Sequence, residues 1–154
     1  FSAAFGVVGT VLAGWLSDRV FRGDRVKPAI LSGMLSFIAL ALFLFTEGGF
    51  LMNIFYVSLF SLAVGVLYCI VAGLMAVDIV PRKATGAALG VVGISSYVAA
   101  GLQDITSGYL IQYNTEQVAG VDVYDFGPVS WFWLAAALIS FVLPVLNWKK
   151  MKNN

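Results

Sequence analysis

Apolar residues along this chain do not alternate with polar ones. They run together in five blocks, at about residues 1–16, 28–45, 51–79, 84–113 and 129–147, separated by short polar connections. Uniformly apolar runs carry no periodicity that separates helix from strand, so length has to decide. A membrane-spanning helix needs about 20 residues, whereas a barrel strand takes about 9–11 and alternates. The pattern predicts an all-α, polytopic transmembrane helix bundle. The two longest blocks have residues enough to tilt or to project beyond a bilayer. Pro28 suits the first turn of the second helix, and the first block reads as the tail of a longer helix.

Composition supports the same class. Hydrophobic residues make up 60% of the 154, and charged residues 11%, against roughly 45–50% and about 25% in soluble domains. With a mean hydropathy of +0.93, the chain has too little polar surface to coat a water-soluble globule. A net charge of +1, with the basic residues in short groups, gives no footprint for a nucleic-acid partner. Histidine is absent and Cys69 is the only cysteine. Disulfide frameworks, Cys/His zinc sites, thiol redox pairs and imidazole acid–base chemistry are thereby excluded, and no metal or cofactor is expected. The chain opens on Phe1 inside an apolar run, with no initiator Met or basic leader. It is expected to be a fragment whose upstream part is missing.

The connections alternate in charge. Residues 17–27 hold Arg19, Arg22, Arg25 and Lys27; residues 80–83 hold Arg82 and Lys83; the tail holds Lys149, Lys150 and Lys152. The intervening connections, 46–50 and 114–128, hold Glu47, Glu116, Asp122 and Asp125 and no base. Successive connections lie on opposite sides of a membrane, so all nine basic residues share one side. The positive-inside rule makes that side cytoplasmic. Trp15, Trp131 and Trp148 fall where interfacial aromatic belts would place them.

The fourth block carries Gly86, Gly90, Gly93, Tyr97, Gly101, Asp104 and Gly108 at spacings of three and four, one stripe of a helix. Small residues let helices approach closely in lipid. The glycines thus read either as a packing face or as a surface on which helices slide or bend. The third block has a similar seam at Ser58, Ser61, Gly65, Cys69 and Gly73. Asp104 sits roughly 27 Å along the helix from Gly86 at about 1.5 Å per residue, in the outer part of the bilayer. It either faces the bundle or a water-filled cavity, or is hydrated at the outer interface. Tyr68, Tyr97 and Gln103 are further candidates for lining an aqueous path.

The segment GWLSDRVFRGDRVKP, residues 14–28, gathers four bases and two acids between apolar blocks. Asp18 falls at a helix C-terminus, where a carboxylate opposes the negative pole of the helix dipole. It calls for a partner, either the neighbouring arginines or the N-terminus of another helix, and the expectation is that the partner lies outside this chain. A charge network there could latch one conformation, or the loop could be a solvated topology marker.

Gly14, Leu16, Ser17, Asp18 and Arg19 resemble the signature loop of major facilitator superfamily transporters, with Arg22, Asp24 and Arg25 in a lengthened basic continuation. That longer form, and the stretch VDIVPRKATGAALGVVGISSYVAAG at residues 77–101, resemble the organophosphate:phosphate antiporters. The resemblance implies the C-terminal part of a twelve-helix carrier, from the end of helix 8 to helix 12. It further implies exchange of phosphate for a phosphorylated sugar or polyol by alternating access, with the phosphoryl group gripped by arginines on helices 1 and 7. No base lies inside an apolar block here, so the clamp would belong to a missing N-terminal half. It also implies that Gly14, Asp18, Arg19, Arg22, Asp24 and Arg25 form gate machinery, and that Tyr68, Tyr97, Gln103 and Asp104 line the site or its gates. Leu67-Tyr68-Cys69-Ile70 departs from the Tyr-Gly-Pro common in that group. The expected partners are the lipid bilayer, the missing half and a small anionic substrate; the expected location is a bacterial inner membrane. A membrane sensor of sugar phosphate, and a facilitator for a non-phosphorylated organic anion, are the alternatives. No nucleophile–base pair or metal cluster marks an enzyme.

Overall fold

The structure, a computed structural model, describes residues 2–46, 48–118 and 121–151. Five helices follow the five apolar blocks: α1 (Ser2–Trp15), α2 (Val26–Phe45), α3 (Phe50–Asp78), α4 (Thr85–Tyr113) and α5 (Gly127–Met151). The helices α2 and α3, and α4 with the 3₁₀ turn Arg82–Ala84 ahead of it, are long and apolar enough to cross a membrane. The chain is an integral membrane helix bundle. Pro28 occupies the first turn of α2, and Pro81, whose ring disfavours helix in the residue before it, separates α3 from α4. One connection departs from the expected pattern: residues 114–128 are not all loop. Thr115–Val118 and Val121–Tyr124 pair antiparallel, with Thr115 opposite Tyr124 and Gln117 opposite Asp122. Threonine, valine and tyrosine favour extended backbone, and the carboxylate of Asp125 then accepts the Gly127 N–H at 2.8 Å where α5 begins.

Packing centres on α3, which lies against both α1 and α2, while α2 also meets α5. The buried cluster joins Ala13, Ala29, Val66 and Ile70 from these three helices. α1 and α3 approach at glycines. A Cβ on Gly9 would collide with the Leu62 carbonyl, and one on Gly65 with the backbone of Gly6. The glycine stripe of α4 lies on an uncovered face. Gly86, Gly90, Gly93, Gly101 and Gly108 each face open space, with no atom within 4 Å of a built Cβ. Among the described residues the stripe therefore packs against no helix of this chain. Instead α4 is tied to α5 by Trp133, whose indole N–H donates to the buried Ser107 hydroxyl at 2.9 Å. Ser32 and Ser36 in α2 return their hydroxyls to backbone carbonyls of the preceding turn, which satisfies them without a partner helix.

Two contacts place the connections. Arg25 and Asp78 are joined, so residues 17–27 and 80–83 lie at one end of the bundle. Phe45 and Trp131 rings, 5.1 Å apart, bring the start of α5 to the end of α2 at the other. Glu47, Trp148, Lys149, Lys150 and Lys152 lie outside the residues whose side chains are described.

Gly65→Ala and Gly9→Ala should each push α1 from α3, costing about 1–3 kcal/mol as overpacking does. Gly86→Ala should leave stability within about 0.5 kcal/mol unless a helix from outside this chain covers it. Thermal unfolding of the purified full protein in detergent checks all three.

Candidate functional site

The charged end of the bundle is built by three local features. Leu16–Val20 is a π-helical turn continuing α1, and it carries Ser17 and Asp18. The chain then reverses at Phe21–Asp24: the Asp24 N–H donates to the Phe21 carbonyl at 3.0 Å. Both central residues, Arg22 and Gly23, have positive φ, 52° and 87°, as a primed turn requires. Asp24 starts α2. Its Oδ1 accepts the Val26 and Lys27 N–H groups at 3.0 and 3.3 Å, and its Oδ2 pairs with Lys27 Nζ at 3.1 Å. This satisfies two of the helix's orphan donors and sets a carboxylate at the positive pole.

That reversal presents Arg25 to both neighbouring elements. Arg25 Nη1 donates to Ser17 Oγ and to Asp18 Oδ1, each at 2.7 Å, and Nε donates to Asp78 Oδ2 at 3.2 Å. The Arg25 side chain is 22% exposed, and Ser17 is fully buried. One guanidinium thus joins the end of α1, the start of α2 and the end of α3. Its fork geometry suits this, since a lysine ammonium is a single point charge. Burial works against the Arg25 charge, but hydrogen bonds and attraction from Asp18 and Asp78 outweigh it and push its pKa up. For Asp24 burial also opposes the charge, and bonds from Lys27 and Val26 together overcome it, holding the carboxyl below its ordinary value.

Of the two partners open to Asp18, a neighbouring arginine holds it and not a group outside this chain. It is Arg25, seven residues on, because the two left-handed residues fold the loop back on itself. Arg19 and Arg22 make no ion pair among the described residues. Gly14, one residue before the end of α1, has open space beside it. Asp78 was not singled out in the sequence; the one signal for it was an acid ending an apolar block four residues ahead of Arg82. Tyr68 lines a hollow of about 410 Å³ between α1 and α3, with Gly6, Thr10 and Ser61. Tyr97, 83% exposed, lies with Gln103 and Asp104 on the uncovered side of α4, away from that hollow. The structure does not bring these four candidates together. Gly108 borders a separate hollow of about 420 Å³ beneath the hairpin, with Gln112, Gln117 and Asp122.

Taken together, an apolar helix bundle with an arginine-centred ion-pair cluster at one end defines a membrane protein. Sequence comparison gives the class more closely. Over 95 residues, 60% of the chain, it is 36% identical to the glycerol-3-phosphate transporter of Bacillus subtilis and 34% identical to the phosphoglycerate transporter protein of Salmonella typhimurium. Both relatives are named as transporters of small phosphorylated metabolites, which agrees with the resemblance of the loop at residues 14–28. The matched region spans about a fifth of these curated relatives, 21% and 19% of their lengths. No protein-family profile and no solved structure matches the chain.

Arg25→Ala should cost about 1–2 kcal/mol of stability, between the values of an exposed ion pair and a charge-assisted hydrogen bond. Arg25→Lys should recover only part of it. Denaturation of the purified variants reads both. Asp24→Ala should cost about 1 kcal/mol through the lost cap, and Asp24→Asn less. The Asp24 carboxyl releases its proton more readily folded than unfolded. Its contribution is then present above the ordinary carboxylate value and lost as pH falls through the lower, folded one. Acid titration of Asp24→Ala against the parent should show their stabilities converging in that window.

Proposed function

We propose that this chain forms the C-terminal part of a secondary transporter that exchanges a phosphorylated sugar or polyol for inorganic phosphate by alternating access. The observation that carries the reading is the identity of 36% to a glycerol-3-phosphate transporter; a phosphoglycerate transporter as the second relative keeps the substrate class at small organophosphates. All nine basic residues fall at 19–27, 82–83 and 149–152. An anion held at the bilayer midplane would need charge from elsewhere in the protein, on the missing N-terminal half. The role of this chain is the gate. With residues 17–27, 80–83 and the tail on the cytoplasmic side, the Ser17–Asp18–Arg25–Asp78 cluster closes that end. It acts by holding the connections together until the helices part, and Gly14, Arg19, Arg22 and Asp24 shape the same loop. The glycine stripe of α4, with Tyr97, Gln103 and Asp104, faces the other half or the path between the halves.

The full protein that carries this chain, reconstituted in liposomes loaded with labelled phosphate, should release label when glycerol 3-phosphate or 3-phosphoglycerate is added outside. Arg25→Ala should slow that exchange several-fold with little change in half-saturating concentration, because the cluster does not touch substrate. Absence of organophosphate-dependent counterflow in the parent would overturn the assignment.

A further inference from the structure

Two π-helical turns occur among the described residues; one carries two of the residues that Arg25 binds, and the other precedes the third. Leu16–Val20 contains Ser17 and Asp18, and Cys69–Met75 lies three residues before Asp78. Long π-helical runs are rare, and short ones frequently mark functional positions. An i→i+5 bond closes a turn holding one residue more than an α-turn. Reversion of Cys69–Met75 to α-helix would therefore rotate everything beyond it by about 100° and advance it by about 1.5 Å.

The surroundings make both registers tenable. Upstream, α3 is pinned by Gly65 against the Gly6 backbone and by Val66 in the buried cluster, which Ile70 joins at the start of the turn. Across the turn, Ile70–Val77 reads IVAGLMAV, apolar at every position. A shift of one residue exchanges apolar for apolar where Leu74 and Met75 now meet the cluster. Gly73 has open space beside it. Asp78 is the first position downstream at which the two registers differ in charge, and Arg25 holds it. We propose that Cys69–Met75 is a register switch: the Arg25–Asp78 bridge holds the π form, and breaking the bridge lets the end of α3 rotate into an α-helical register that carries Asp78 out of reach. The switch gives the proposed gate its moving part, and it rests on that reading for its purpose but not for its mechanics.

The test uses the full protein in liposomes, with spin labels at Leu31→Cys on α2 and Ile79→Cys in a Cys69→Ala background. Asp78→Asn should shift the label distance, by up to roughly 8 Å at the rim of a helix 10–12 Å across. Deleting Gly73 removes the spare residue, so the deletion combined with Asp78→Asn should keep the parent distance. Hydrogen exchange at residues 74–79 decides independently if the deletion does not fold: a register change keeps those amides protected, whereas loss of protection means fraying and overturns the switch. An unchanged distance in Asp78→Asn overturns it as well, as does a deletion variant that shifts as far as Asp78→Asn alone. Flux is scored separately. Absent phosphate counterflow with the shift intact defeats the transporter reading and leaves the switch standing; the converse defeats only the switch.

Discussion

Apolar helices in lipid gain little from hiding apolar surface from each other, because the surrounding acyl chains are equally apolar. What holds such helices in register is close backbone approach and a few polar ties. Here the approach is made where Gly9 and Gly65 let α1 and α3 touch through their backbones. The side chains of Ala13, Ala29, Val66 and Ile70 can then close around the crossing. The hydroxyls of Ser32 and Ser36 on α2 are returned to their own helix.

Apart from Asp104 within α4, charge among the described residues lies at the ends, and at one end it does structural work. A guanidinium with five donors can reach several acceptors at once, and Arg25 reaches three, on the two elements that flank its own. The carboxylates it binds are half exposed or more. Water competes for them, which keeps the tie strong enough to set a geometry and weak enough to release. Under the proposed function, a gate that opens on each cycle needs that balance.

The uncovered faces follow from the same physics. Much of α4 is exposed, including Tyr97, Ile94 and Ile105, and its glycines meet nothing. A stripe of small residues on a membrane helix is expected to be covered by another helix. The matched region amounts to about a fifth of each relative, which makes the rest of a transporter a natural cover under the proposed function.

Five helical blocks, their approximate ends and the membrane class were legible in the sequence, because span length and hydropathy are local properties that the bilayer enforces. The loop at residues 14–28 could likewise be singled out, since charge between apolar blocks stands out and its motif is local. Its connectivity could not. That Asp18 meets Arg25 depends on two left-handed residues at Arg22 and Gly23, and that Asp78 joins them depends on α3 ending beside the loop. Glycine spacing marked a seam on α3 and a stripe on α4, but not which of them meets a helix of this chain: the contact forms at Gly6, Gly9 and Gly65, and the α4 stripe is left uncovered. Periodicity says which residues share a face, whereas the choice of what covers that face is made by the whole bundle. By itself the sequence determined what each segment is; which segments meet, and through which side chains, was decided only by tertiary structure, because contacts between distant segments depend on the path of the chain between them.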